Sequence, residues 1–154
     1  MSSTTASGVD PVALAAVEGV GRVITVTIPL DPPSECFPNK RNRRGGFDAG
    51  IHAASRFRMA AKAAAIGVTP DGPITGSVHL SIFAAYGHGR RLPDLDATLS
   101  AVKSGIDALA DAGIIEDDRQ VTSIAVTHEK IRGKRNERPQ GFTTIHVAEL
   151  EARQ

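Results

Sequence analysis

Apolar positions along the chain recur with two different periods, and these periods predict six regular elements. Alternation of apolar and polar residues, rich in β-branched types, predicts strands. Recurrence every three or four positions predicts helices, the second of which should stop at Gly113. The strands are predicted at residues 22–28, 74–86, 121–132 and 142–150, and the helices at 47–66 and 94–112. The order β-α-β-α-β-β predicts an α+β fold, a mixed β-sheet with two main helices packed on it.

Helical spacing also predicts which side chains face the sheet. The first helix should bury Phe47, Ile51, Ala54, Phe57 and Ala61, and the second should bury Leu95, Leu99, Val102, Ile106 and Leu109. Asp96 is the predicted N-cap of the second helix, because acidic side chains are favoured at helix starts. Lys103 and Asp107 follow Asp96 along one line beside the apolar stripe.

Length and composition fit one globular domain. The chain has 154 residues, of which 41% are hydrophobic and 23% charged. Residues 21–150 are predicted to form the domain, with residues 1–20 as a flexible tail and 151–154 as a short C-terminal tail. Aromatic residues make up only 4%, which disfavours stacking platforms for single-stranded nucleic acid. A single cysteine, Cys36, excludes an intrachain disulfide and a zinc site built from cysteines. With no apolar run of membrane-spanning length and no signal-like start, a cytoplasmic location is expected, with no membrane partner.

The small net charge of +1 conceals two segments of opposite sign. Residues 40–91 contain nine basic and two acidic residues, a net +7. Residues 92–118 contain one basic and seven acidic residues, a net −6. A basic segment next to an acidic one suits a polyanionic ligand bound at a cation-holding centre, although solvated surface of both signs gives the same pattern.

Carboxylates gather at the two ends of the second predicted helix. Asp94 and Asp96 lie where a loop enters the helix, and Asp117 and Asp118 precede the following strand. Oxygen ligands from two such places can hold Mg²⁺, and Lys103 can stabilise charge on a nearby phosphate. The alternative is a capped helix with a solvated acidic edge.

The same segment resembles the RusA family of Holliday junction resolvases, which are mostly phage and prophage enzymes. The matching features, in order, are Asp94-Leu95-Asp96, Lys103, Asp107-Ala108-Leu109, Ala112-Gly113-Ile114-Ile115 and Asp117-Asp118. A weaker match precedes them at Pro32-Pro33-Ser34 and Pro38-Asn39, followed by basic residues. Together the resemblance covers most of residues 22–148. Two features depart from the family: Ala97 stands where the family usually has Asn, and Lys103 lies seven rather than four residues after Asp96.

The resemblance implies a RusA-like fold and a homodimeric endodeoxyribonuclease of DNA recombination and repair that resolves four-way junctions by paired symmetric nicks. It implies Mg²⁺ as cofactor, with Mn²⁺ as a substitute and no organic cofactor, and the host cytoplasm as location if a phage encodes the protein. Asp94, Asp96 and Asp118 would bind the metal, with Asp117 as an alternate for Asp118, and Lys103 would lie near the scissile phosphate. The strand at 74–86 and the Ala-rich face of the first helix both offer material for the dimer interface.

Basic residues in the loops are the expected contacts to DNA phosphates. They are Lys40, Arg41, Arg43, Arg44, Arg90, Arg91, Lys130, Arg132, Lys134 and Arg135.

Two other functions remain open at this point. A branched-DNA-binding protein with a decayed site is favoured by Ala97. The string from Asp94 to Leu99 also resembles the start of haloacid-dehalogenase-like phosphatases, but a polar loop precedes it where that family has a buried apolar strand.

Overall fold

The order and type of the six elements are confirmed. The computed structural model describes residues 19–38, 46–68 and 71–152, so the tail predicted at 1–20 lies mostly outside the described residues. The strands are β1 (Val20–Ile28), β2 (Val78–Tyr86), β3 (Val121–Lys130) and β4 (Phe142–Leu150), and the helices are α1 (Gly46–Ile66) and α2 (Leu95–Asp111). Short 3₁₀ turns lie at Ser34–Cys36 and Asp118–Gln120. The described part of the chain is therefore α+β, with a four-stranded mixed sheet and two main helices.

The sheet has the strand order β1-β4-β2-β3. β2 and β3 run parallel, whereas the other two pairings are antiparallel. Parallel neighbours need a crossover connection, and α2 supplies it. α2 therefore starts where β2 ends, which we call the carboxyl edge of the sheet, and runs back toward the start of β3 at the amino edge. This route separates the residues before α2 from the residues after it.

The hydrophobic core lies between the sheet and the two helices. Val26, Ile145 and Ile82 are register partners across three neighbouring strands, and all three are fully buried. The helices cross closely at Gly105, where an added Cβ would lie 2.7 Å from Cε1 of Phe57. Glycine at this position lets the buried Phe57 ring pack directly on the backbone of α2.

The buried stripes of both helices differ from the predicted ones. Ile51 is 47% exposed and Leu95 is 48% exposed, so the prediction that they face the core is wrong. Thr98, by contrast, is fully buried. The buried face of α2 differs from the predicted stripe because the helix packs on α1 as well as on the sheet, and small residues lie on that buried face. Its buried residues are Thr98, Ala101, Val102, Gly105, Ile106, Ala108 and Leu109.

Two predicted strand boundaries also shift. The strand predicted from residue 74 begins at Val78, and Ile74 forms only an isolated bridge to Ile115. The strand predicted to end at residue 132 ends at Lys130. β2 lies between β4 and β3 and is buried along nearly its whole length, so it offers no surface for a dimer. Within the described residues, no helix combines the length and apolar character needed to cross a membrane.

Candidate functional site

Asp94 begins α2 at the carboxyl edge of the sheet. Its Oδ1 accepts a hydrogen bond of 2.8 Å from the backbone N–H of Ala97, and its own φ and ψ of −74° and 168° are those of an N-cap. The prediction that Asp96 caps the helix is therefore wrong by two residues. Asp96 lies instead in the first helical turn, where the helix dipole favours a negative charge.

Both carboxylates line one surface cavity of about 880 Å³. Its wall is completed by the loop that precedes α2, which includes Arg91, and by Phe37 and Pro38 from the loop after β1. Asp94, Asp96 and Arg91 are all exposed. Among the residues that the structure describes, none donates a hydrogen bond to Asp94 Oδ2 or to either oxygen of Asp96. Three carboxylate oxygens are thus accessible to a ligand in this cavity.

Asp94 and Asp96 fit a Mg²⁺ site in which oxygens of the substrate complete the coordination of the ion. Mg²⁺ is commonly bound through one or two carboxylates, with substrate phosphates and water completing the octahedron. Over residues 19–38, 46–68 and 71–152, no three His, Cys, Asp or Glu side chains come close enough together to bind a metal by themselves. The fit therefore rests on Asp94 and Asp96 with oxygens from elsewhere.

Asp118 and Lys103 lie together at a second place. They line a groove of about 390 Å³ between α2 and β3, next to Asp107 and the apolar side chains of Leu99, Ile106, Val121 and Ile124. α2 has 17 residues and is roughly 25 Å long, and Asp118 follows its far end. A single chain therefore brings Asp94 and Asp96 together in the cavity and brings Lys103, from the middle of α2, together with Asp118 in the groove, and the cavity and the groove share no lining residue.

Asp117 is engaged by the backbone and by its neighbour. Its side chain caps the 3₁₀ turn, and Arg119 binds it through the backbone N–H at 2.8 Å and through the guanidinium at 2.8 Å. These hydrogen bonds hold the pKa of the Asp117 carboxyl well below its usual range. Asp118, the residue matched by the family motif, is the one that lines the groove.

The basic residues predicted to contact DNA fall into three groups. Lys40, Arg41, Arg43 and Arg44 lie outside the described residues. Arg90 is engaged internally, since its guanidinium binds Asp31 at 2.6 Å and the Pro32 carbonyl at 2.8 Å and lies 5.5 Å from the centre of the Tyr86 ring. The third group is exposed at the carboxyl edge and consists of Arg91, Lys130, Arg132, Lys134 and Arg135.

Three polar side chains next to Asp94 are linked by hydrogen bonds that were not predicted from the sequence. The Tyr86 hydroxyl lies 2.8 Å from Oγ1 of Thr98, which lies 2.9 Å from Nδ1 of His128. Burial raises the pKa of Tyr86. Burial also lowers the pKa of His128, and the negative charge of Asp94 partly offsets this lowering. Strand alternation was the signal that could have found this group, since it places His128 on the same face of β3 as Ile124 and Val126.

The phosphatase interpretation conflicts with the position of Asp94. β2 ends at Tyr86, and an irregular loop separates it from Asp94. The aspartate therefore does not sit at the end of a buried strand. Comparisons of the chain with protein-family models and with curated proteins found no match.

Proposed function

We propose that the protein is a metal-dependent endodeoxyribonuclease that resolves four-way DNA junctions as a homodimer. The observation that carries this proposal is the cavity at the carboxyl edge, where two exposed carboxylates with free oxygens lie beside the exposed Arg91. Further exposed basic residues, among them Lys130 and Arg132, lie at the same edge of the sheet. Carboxylates alone would repel DNA, and basic residues alone would only bind it. Their combination suits an enzyme that cuts a phosphodiester at a metal.

Asp94 and Asp96 would hold the ion in this proposal, and Arg91 would bind the phosphate that enters the cavity. A bound Mg²⁺ or Mn²⁺ supplies Lewis acidity and lowers the pKa of a bound water. Asp94 is held in place by its bond to the Ala97 N–H, so its second oxygen has a fixed direction. The fixed position matters because charge stabilisation depends on groups that need not reorganise.

The exposed basic side chains would bind the arms of the junction. Lys130 is the last residue of β3, and Arg132, Lys134 and Arg135 follow it, at the edge where α2 begins. Each phosphate that a basic side chain neutralises releases condensed counterions, so binding should weaken steeply with salt. Replacing Arg132 and Lys134 by Ala should lower the slope of log K against log salt by about 0.9 for each phosphate no longer neutralised. An unchanged slope would exclude these residues from the interface.

Single Asp→Asn variants test the site itself. Asp96→Asn should abolish junction cleavage while leaving junction affinity within about threefold, because phosphate contacts supply most of the affinity. Asp71→Asn is the matched control, an exposed aspartate on a turn remote from the cavity. Cleavage by Asp96→Asn at the wild-type rate would remove Asp96 from the site. A wild-type protein that binds junctions and never cuts them would support the non-catalytic alternative.

A second copy of the chain would bring Asp118 to the site. β3 is an edge strand of the sheet and carries a run of four exposed residues, Thr122–Ala125, with Ile124 41% exposed. Long, uncharged edge strands are templates for pairing with another chain. Antiparallel pairing of β3 with its two-fold copy would place the start of one strand beside the end of the other. Asp118 of the second copy, which lies just before β3, would then approach Asp94 at the carboxyl edge.

Mixing two inactive variants tests this arrangement. If each site combines Asp96 of one chain with Asp118 of the other, a dimer of an Asp96→Asn chain with an Asp118→Asn chain keeps both residues in one of its two sites. Equal mixing after subunit exchange should therefore restore about a quarter of the wild-type centres, each making one nick per junction. A site formed within one chain leaves every centre defective, so a mixture as inactive as its components would contradict the shared site.

A further inference from the structure

The hydroxyl of Tyr86 fixes the direction of the hydrogen bonds that reach His128. Tyr86 is fully buried, and Thr98 Oγ1, at 2.8 Å, is the hydroxyl's hydrogen-bond partner among the described residues. If His128 Nδ1 carried a hydrogen, it would donate to Thr98 Oγ1, which could then either donate to the Tyr86 hydroxyl or accept from it as well. In both cases one buried hydroxyl hydrogen, that of Tyr86 or that of Thr98, would have no acceptor among the described residues, which costs about 1–3 kcal/mol.

The reverse direction satisfies every group. Tyr86 donates to Thr98, Thr98 donates to Nδ1 of His128, and the ring hydrogen of neutral histidine then resides on Nε2. Protonating the ring would require Nδ1 to donate and would again leave one hydroxyl hydrogen, of Tyr86 or of Thr98, without a described acceptor. The lowered pKa of His128, caused by burial, agrees with this direction.

His128 is also placed close to the proposed site. Thr98 lies one helical turn after Asp94 and donates its backbone N–H to the Asp94 carbonyl at 3.2 Å. The His128 ring is half-buried on β3 near the carboxyl edge, and no described residue accepts a hydrogen bond from Nε2. The imidazole thus has one nitrogen held by the protein interior and, within the described part of the chain, one without a protein partner.

We propose that His128 binds a DNA phosphate oxygen at this site through its Nε2–H, and that Tyr86 and Thr98 are positioning residues that hold the ring in this tautomer. The inference rests on the proposed function, because it assumes that DNA enters at Asp94 and Asp96. A neutral imidazole suits this position, because it donates a hydrogen bond to phosphate without adding a positive charge next to the metal ion that Asp94 and Asp96 would hold.

Nitrogen-15 NMR tests the tautomer without DNA. In the wild type, His128 should show an unprotonated Nδ1 and a protonated Nε2. In Thr98→Val and in Tyr86→Phe, the His128 ring should populate both tautomers. Two variants are measured so that the test still holds if one of them does not fold. A wild-type ring with the hydrogen on Nδ1 would overturn the inference.

Titration with a synthetic four-way junction in metal-free buffer tests the phosphate bond. The Nε2 resonance should shift on binding, and His128→Ala should weaken affinity by roughly tenfold, the size expected for a hydrogen bond to a charged group. His128→Gln, which keeps an N–H donor, should recover part of the loss, and His52→Ala on the exposed face of α1 is the control. Junction binding without a shift at Nε2 would overturn the inference alone. A protein that binds no junction would overturn the proposed function as well.

Discussion

Replacing Asp94 separates its structural role from its chemical one. As N-cap it accepts the Ala97 N–H, and as an acid at the start of α2 it interacts favourably with the helix dipole. Asn caps as well as Asp does, so Asp94→Asn loses only the dipole term, about 0.5 kcal/mol at an exposed site. Ala loses the cap too, which costs about 1 kcal/mol more. We therefore expect unfolding free energies lower by about 0.5 and about 1.5 kcal/mol.

Urea unfolding and thermal denaturation measure these differences. For a domain of this size, 1 kcal/mol shifts the melting temperature by roughly 2–4 °C, so the two variants should melt about 2 and about 5 °C below the wild type. Junction cleavage with Mg²⁺ should be abolished equally in both, because both lack the carboxylate. An Asn variant that cleaves normally would show that the charge has no part in the chemistry. An Ala variant as stable as the wild type would show that the capping bond contributes nothing.

Three further predictions concern α2 and its neighbours. Gly105→Ala gains about 1 kcal/mol of helix propensity but forces its Cβ against the buried Phe57 ring, at a cost of about 1–3 kcal/mol, so urea unfolding should show a net loss of up to about 2 kcal/mol. Lys103→Ala should slow cleavage at least tenfold and leave the melting temperature within about 2 °C, since its side chain is exposed; an unchanged rate would place it outside the site. The bidentate pair of Arg58 with Asp111, at 2.6 and 2.9 Å, lowers the pKa of Asp111, so its small stabilisation, under about 1 kcal/mol, is present at neutral pH and is lost as pH falls through that lowered pKa. Arg58→Met should remove this part of the acid sensitivity in pH-dependent urea unfolding, and identical pH profiles would contradict it.

The periodicity of the chain sufficed for the elements but not for their buried faces. Gly113, with a φ of 77°, ends α2 as predicted, because this left-handed backbone favours glycine. The burial of Thr98 was not predictable from spacing, because it depends on a hydroxyl partner supplied by β2. Ile51 and Leu95 were misassigned since helical spacing reports a stripe and not which neighbour covers it.

The candidate site was predictable as a set of residues but not as an arrangement. Asp94 and Asp96 are two residues apart, so their shared cavity follows from the chain itself. Asp118 follows the far end of α2, so the helix itself separates it from Asp94, and the parallel crossover from β2 to β3 places it at the amino edge of the sheet. Alternation along β3 indicates the face on which His128 lies, but its position beside Thr98 depends on the parallel pairing of β3 with β2, which no local pattern encodes.

Cleavage of a synthetic four-way junction, labelled in turn on each strand, is the most direct test of the proposed function. With Mg²⁺ the wild-type protein should make paired nicks at symmetric positions on two opposing strands, and it should leave a linear duplex of the same sequence intact. Omitting the metal should leave the junction bound and uncut. A junction that remains intact in Mg²⁺ while the protein is bound to it, or a duplex cut at the same rate, would contradict the proposed function.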